Sequence, residues 1–167
     1  MMAPTASSGP MTPASATPGS ATPIILTPGD PAGIGAEITL KAHLSGERGF
    51  AIIEDPQRLA DLADRLNIDV KTCIIDTPSD ITGVNDHLPV IPVDWAQPPH
   101  ASTGNPRNAP IIIDSIRKAA AWVRDGSAAA MVTNPINKAV LQEAGFPHPG
   151  HTEFLATLAA PRDGAPT

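Results

Sequence analysis

One stretch restricts the possible folds more than any other: Thr27-Pro-Gly-Asp-Pro-Ala-Gly-Ile-Gly-Ala-Glu-Ile38. It follows the short apolar run Pro23-Ile-Ile-Leu-Thr27, which reads as a buried strand. It leads into Glu37-Ile-Thr-Leu-Lys-Ala-His-Leu44, which reads as a helix. A glycine-rich turn between a buried strand and a helix is the opening of a βαβ unit. The rest of the chain then has to supply a parallel sheet with helices on its faces.

The remaining pattern agrees. Phe50 to Glu54 reads as a second strand, and Asp55-Pro56 as a helix start with Asp as N-cap and Pro in the first helical position. Leu59, Leu62 and Leu66 recur at helical spacing through the helix from Gln57 to Leu66. Val70 to Ile75 and Leu88 to Val93 read as strands, separated by a polar, turn-rich stretch. Asp94 to Pro110 is a long loop, a length that in compact domains marks functional or mobile segments. Ile111 to Arg124 is an amphipathic helix, and Ala128 to Thr133 a strand of the fully buried kind. Asn134-Pro135 is expected to cap a helix to about Ala144, stopped by Gly145. The predicted fold class is one α/β domain over residues 23–158 with a mostly parallel sheet.

Composition excludes several classes. Aromatic residues are only 3% of the 167, so the core rests on Ile, Leu, Val and Ala, which suits α/β layers. Net charge is -6 with no Lys/Arg cluster, which argues against nucleic acid as a partner. No apolar run approaches membrane-span length. The one cysteine, Cys73, lies in an apolar run and reads as a small buried hydrophobe. With no disulfide possible within the chain, a cytoplasmic location is expected. Residues 1–22 are almost wholly Ala, Pro, Ser, Thr and Gly without a charged side chain, and read as a disordered tail rather than a secretory signal.

Candidate binding residues fall into two groups. Gly33 and Gly35 would let backbone N–H groups approach an anion at a helix start, but the spacing is not the Gly-x-Gly-x-x-Gly of dinucleotide sites. A ligand-binding turn and a purely structural turn fit this spacing equally. Asp30 is either a ligand contact or a turn-former. The second group is Thr133-Asn-Pro-Ile-Asn-Lys138 with Gly150-His-Thr-Glu-Phe-Leu155. Asn134 and Lys138 lie at an expected helix start, where the helix dipole disfavours a lysine unless an anion is bound. His151 and Thr152 could donate an imidazole N–H and a hydroxyl to phosphate. The bland alternatives are a solvated lysine and a capping threonine beside an ordinary histidine. The five histidines show no metal-ligand spacing, so no metal site is expected within this chain.

Together these segments resemble the 4-hydroxythreonine-4-phosphate dehydrogenase family of vitamin B6 synthesis. The family opens with a pattern close to Thr-Pro-Gly-Asp-Pro-Ala-Gly-Ile-Gly-Pro-Glu, matched from Thr27 to Glu37 except for Ala36. Its second signature, Pro-x-x-Lys and then Ala-Gly with Gly-His-Thr-Glu, is matched by Pro135, Lys138, Ala144, Gly145 and Gly150 to Glu153. The resemblance implies an isopropylmalate-dehydrogenase-like three-layer α/β/α fold, a homodimer, NAD as cofactor and a divalent metal (Zn, Mg or Co). It implies oxidation of a phosphorylated substrate's secondary alcohol followed by decarboxylation, on the way to pyridoxal phosphate. It carries substrate contact to His151 and Thr152.

Family members are much longer, and the resemblance places their metal-binding histidines beyond Thr167. Residues 159–167 do not open the next strand, and are expected to be a divergent or truncated end. Two alternatives accompany this reading. One is a dehydrogenase of a related four-carbon acid phosphate, D-threonate or D-erythronate 4-phosphate. The other is an inactive fragment without the metal-binding half.

Overall fold

The computed structural model describes residues 22–160 apart from Gly83 and Asn85. The expected tail therefore lies outside the described residues but for Thr22, as does the end segment but for Ala159 and Ala160. The elements in chain order are β1 (Ile24–Thr27), α1 (Gly35–Leu44), β2 (Phe50–Glu54), α2 (Pro56–Leu66), β3 (Thr72–Ile74) and β4 (Leu88–Pro92). They continue as α3 (Ala109–Asp125), β5 (Ala130–Thr133), α4 (Lys138–Glu143) and α5 (His151–Ala159). One five-stranded sheet runs in the order β3-β4-β2-β1-β5, and every pairing is parallel.

The period-2 alternation of the strands builds two apolar layers. Phe50 and Ile52 of β2, with Leu88 and Val90 of β4, pack under α1 and α2 against Leu40, Leu59 and Ala63. Ala51 and Ile53, with Ile25 and Ile91, face the other way against Ala119 of α3. A third cluster joins Ile112 and Ile116 of α3 to Leu141 of α4 and Phe154 of α5. Helices thus cover both faces, as the α/β reading expects. The predicted start of α2 is as observed: the Asp55 side chain accepts from Gln57 N and Arg58 N, with Pro56 in the first turn.

Two local expectations are corrected and one alternative reading is excluded. β5 is not fully buried: Val132 is 48% exposed, because β5 lies at the sheet edge with only β1 as a neighbour among the described residues. Asn134 does not cap a helix. Its side chain is buried, and α4 begins only at Lys138, capped by the Asn137 side chain accepting from Val140 N at 3.3 Å. Thr152 does not cap α5 either. The helix starts at His151 after Gly150, so the Thr152 hydroxyl sits inside the first turn instead of before it, and no side-chain cap is made.

The buried Asn134 is what joins the two ends of the fold. Its amide Nδ2 donates to the Thr27 carbonyl at 3.0 Å, at the end of β1. Asp30 N donates to the Pro135 carbonyl at 2.8 Å. Two glycines make room for this interlock. Gly29 has φ +71, and a Cβ there would lie 2.5 Å from the Pro135 oxygen. A Cβ on Gly35 would lie 2.6 Å from the Pro28 oxygen and 2.9 Å from Asn134 Cβ. Both neighbours of Gly35 are held, so neither can yield cheaply.

Gly35→Ala is therefore expected to destabilise the chain by about 1–3 kcal/mol, the cost of overpacking. Asn134→Ala should cost about 1–3 kcal/mol by leaving the Thr27 carbonyl unpaired. Denaturant titrations check both; a Gly35→Ala midpoint equal to wild type would contradict the interlock. A second expectation concerns His43, buried in α1 with its ring edge on Phe50 at 6.2 Å. Burial, with a smaller push from Arg48, lowers its pKa below the ordinary 6.5. The unfolded chain then takes the proton first as pH falls, so this contribution to stability is lost below about 6.5. The stability gap between wild type and His43→Gln should narrow from pH 7.5 to 5.5. A constant or widening gap would refute it.

Candidate functional site

The strand order reverses direction at β1. From β1 the chain runs first toward β2 and β4, and returns only with β5 on the other side of β1. In open α/β sheets, ligands bind beyond the carboxyl ends of the strands at such a switch point. Here those ends carry the glycine-rich turn after β1 and the Asn134–Lys138 segment after β5. Between them lies a cleft of about 440 Å³, bordered by Asp30, Gly33, Ile34, Pro135, Asn137 and Lys138. Two separated motifs thus meet in space.

The turn spends most of its own polar groups. The Asp30 carboxylate accepts from Ala32 N at 2.9 Å, and Gly33 N donates to the Asp30 carbonyl at 2.9 Å. With Asp30 N bound to Pro135, the donors of Asp30, Ala32 and Gly33 are all committed inside the protein. Gly35 and Asn134 lie below the cleft and serve packing. These three N–H groups are therefore not free to bind an anion, whereas the start of α1 at Gly35 carries no side-chain cap. Asp30, Gly33 and Lys138 are the predicted residues that border the cleft.

His151 and Thr152 open α5 beside this cleft. The Nε2 of His151 is buried and without a hydrogen-bond partner. Burial, and then the nearby Lys138 ammonium, lower the pKa of the imidazole. Lys138 itself folds over the start of α5: a Cβ on Gly150 would lie 3.3 Å from Lys138 Cε and 3.5 Å from its Nζ. Gly150 has extended φ, so its missing side chain matters here as space for Lys138. The start of α5 thus gathers an ammonium, a dry imidazole nitrogen, an exposed hydroxyl and the positive end of a helix. A tetrahedral oxyanion matches that donor set.

Sequence reasoning missed a second polar group. Glu54 ends β2 with 0% exposure. One carboxylate oxygen accepts from Asp55 N at 2.9 Å and Trp95 Nε1 at 2.7 Å; the other accepts from Arg58 Nη1 at 2.7 Å. Burial raises the Glu54 pKa, against the opposing pull of Arg58 and the two N–H donors. Arg58 also donates to the Pro31 carbonyl in the glycine-rich turn. The signal in the sequence was an acid closing an otherwise apolar strand, four residues before an arginine. The long loop is tied down too. Asn108, 1% exposed, bonds both backbone groups of Gln97, and Ser102 N donates to the Ala32 carbonyl at 2.9 Å.

Among the described residues no three His, Cys, Asp or Glu side chains gather where one ion could sit. The residues seen here do not fit the divalent metal that the resemblance implies. The N–H groups of Asp30, Ala32 and Gly33, already bonded within the protein, are not available to a dinucleotide. Among the described residues no helix is long and apolar enough to cross a membrane.

Comparison with known proteins agrees with this geometry. A 4-hydroxythreonine-4-phosphate dehydrogenase of Methylorubrum populi is 47% identical over 147 residues, covering 84% of this chain and 42% of that protein. One of Xanthobacter autotrophicus is 40% identical over 149 residues, again covering 42% of its length. The chain thus spans about two fifths of the length of the curated relatives it matches. Among solved structures, the Klebsiella pneumoniae 4-hydroxythreonine-4-phosphate dehydrogenase superposes with a TM-score of 0.74 at 32% identity, over 83% of this chain and 44% of that one. A structure titled as a putative enzyme of that name from Salmonella typhimurium gives 0.77 at 30% identity, over 85% of this chain and 46% of that one. The family model described as pyridoxal phosphate biosynthetic protein PdxA matches residues 47–165. With its sheet, its two signatures and these matches, the chain belongs to the PdxA family.

Proposed function

We propose that this chain supplies the phosphate-recognising side of a 4-hydroxythreonine-4-phosphate dehydrogenase acting in pyridoxal phosphate synthesis. The observation that carries the reading is the start of α5: the buried, unpartnered Nε2 of His151 beside the Lys138 ammonium. A buried polar atom without a partner costs stability, and a ligand oxygen there would remove that cost. Thr152, freed from any capping role, adds a hydroxyl donor one residue on. The cleft bordered by Asp30, Gly33 and Lys138 would take the rest of the substrate.

In this reading the reaction is oxidation of the substrate's secondary alcohol with NAD as hydride acceptor, followed by loss of carbon dioxide. The names of the relatives support the dehydrogenase step. In this reading the nicotinamide cofactor and the divalent metal are held by residues other than the described ones. What the residues here do is narrower. Lys138 neutralises the phosphate, His151 and Thr152 fix its oxygens, and the buried floor of the site keeps water from the imidazole.

Charge-assisted hydrogen bonds of this kind are each worth about 1.5–3 kcal/mol. Titrating the chain with 4-hydroxythreonine 4-phosphate should shift the amide signals of Lys138, His151 and Thr152. His151→Ala should weaken binding by roughly ten- to a hundredfold. The bound phosphate favours the imidazolium, so the depressed His151 pKa should rise on binding, and affinity should increase as pH falls through it. An unchanged His151 titration curve with saturating ligand would contradict the assignment.

A further inference from the structure

We infer that Glu54 and Arg58 are positioning residues for the glycine-rich turn, holding from outside the backbone that forms one wall of the ligand cleft. The inference rests on the reading that this cleft takes the substrate. Neither residue touches that cleft. Their effect passes through one carbonyl, that of Pro31, which accepts from Arg58 Nη2.

The arrangement is a buried lever. Glu54 is 0% exposed and anchored at the carboxyl end of β2, the strand next to β1. Its two oxygens divide the work. Oε1 is fixed by Asp55 N at 2.9 Å and Trp95 Nε1 at 2.7 Å. Oε2 is left to face Arg58 Nη1 at 2.7 Å. The guanidinium fork is planar and rigid, so fixing one arm aims the other. That other arm meets Pro31, which has no N–H of its own and so cannot anchor itself as a donor. The residues on either side are held as well: Asp30 N by the Pro135 carbonyl at 2.8 Å, and the Ala32 carbonyl by Ser102 N at 2.9 Å. The turn is thus gripped from the segment after β5, from the long loop and from α2.

A structural ion pair in a protein core would serve as well with its charges anywhere near one another. Two features point past that. The pair sits four residues apart across the N-cap of α2, where its free arm reaches a segment 27 positions away in sequence. Also, Arg58 and Pro31 both border a second cleft of about 590 Å³ on the outer side of the turn. On that side the turn accepts hydrogen bonds from the Arg58 guanidinium, at the Pro31 carbonyl, and from Ser102 N, at the Ala32 carbonyl.

The test is hydrogen exchange on the 167-residue chain, read amide by amide. In Glu54→Gln, the amide oxygen would keep Asp55 N and Trp95. The amide nitrogen would then face Arg58, donor against donor, so the fork is released while the packing stays. Exchange at Asp30, Ala32, Gly33 and Ser102 should rise by at least about tenfold over wild type, with Ile116 and Ala119 of α3 unchanged. The Arg58 guanidinium signals, separate in wild type at low temperature, should merge as the group rotates freely. Unchanged turn amides, or a rise shared equally with α3, would overturn the role. If Glu54→Gln fails to fold, Arg58→Lys carries the same expectation, since one ammonium cannot bridge Glu54 and Pro31 together. The exchange readout needs no ligand. A wild-type chain that shows no chemical-shift response to inorganic phosphate would sink the functional reading and leave the exchange result to decide the role of Glu54 and Arg58.

Discussion

The hydrogen bond from Asn134 to the Thr27 carbonyl is the contact on which this molecule depends most. It sits where the first strand and the last strand end side by side, and it is fully enclosed. The cleft between the glycine-rich turn and the segment after β5 is built outward from it. The glycine-rich turn folds back over the Asn134 side chain, which is why Gly29 and Gly35 have no room for a Cβ. The segment after β5 is drawn toward the turn by the Asp30–Pro135 bond. Only then can Lys138 reach across to the start of α5.

The polar groups around this centre divide into two kinds. Glu54 and Asn108 are buried with their hydrogen bonds met on every side, and they fix backbone. The Nε2 of His151 is buried with none. Native proteins seldom leave such an atom idle, and the hydroxyl of Thr27, at the end of β1, is a second buried polar atom without a partner. The distinction comes from bonding, not from burial: all three groups are removed from water, and only one still has capacity to offer.

Much of this was legible in the residues. The βαβ plan followed from apolar runs alternating with helical spacing, and the N-cap at Asp55 followed from the Asp-Pro pair. The two signatures named the family before any coordinates. What could not be read was long-range. Asn134 looked like a cap because Asn before Pro often is one; that its side chain points inward depends on where β1 ends, over a hundred residues earlier. Val132 looked buried because apolar runs do, and edge position is a property of strand order, not of the run. Trp95 sat in a stretch that seemed loose, yet its indole is bonded to Glu54 at 2.7 Å, a pairing no local pattern announces. The capping alternative for Thr152 fails by a single residue of helix phase, because α5 already begins at His151.

The separation of Thr27 and Asn134 has a consequence for how the chain acquires its shape. The bond between them spans 107 positions. β1 is also synthesised well before β5, with three strands and three α-helices between them. Parallel pairing between distant segments is slow to nucleate, because a large loop must close before any contact rewards it. A nascent chain can join β1 to β2 early, but one flank of β1 and the underside of the glycine-rich turn stay open until the residues near Asn134 emerge. During that interval the molecule is a partly built sheet with apolar Ile25 and Leu26 incompletely shielded, the kind of species that chaperones hold. The cleft beside the glycine-rich turn is therefore completed only after the residues near Asn134 have joined β1.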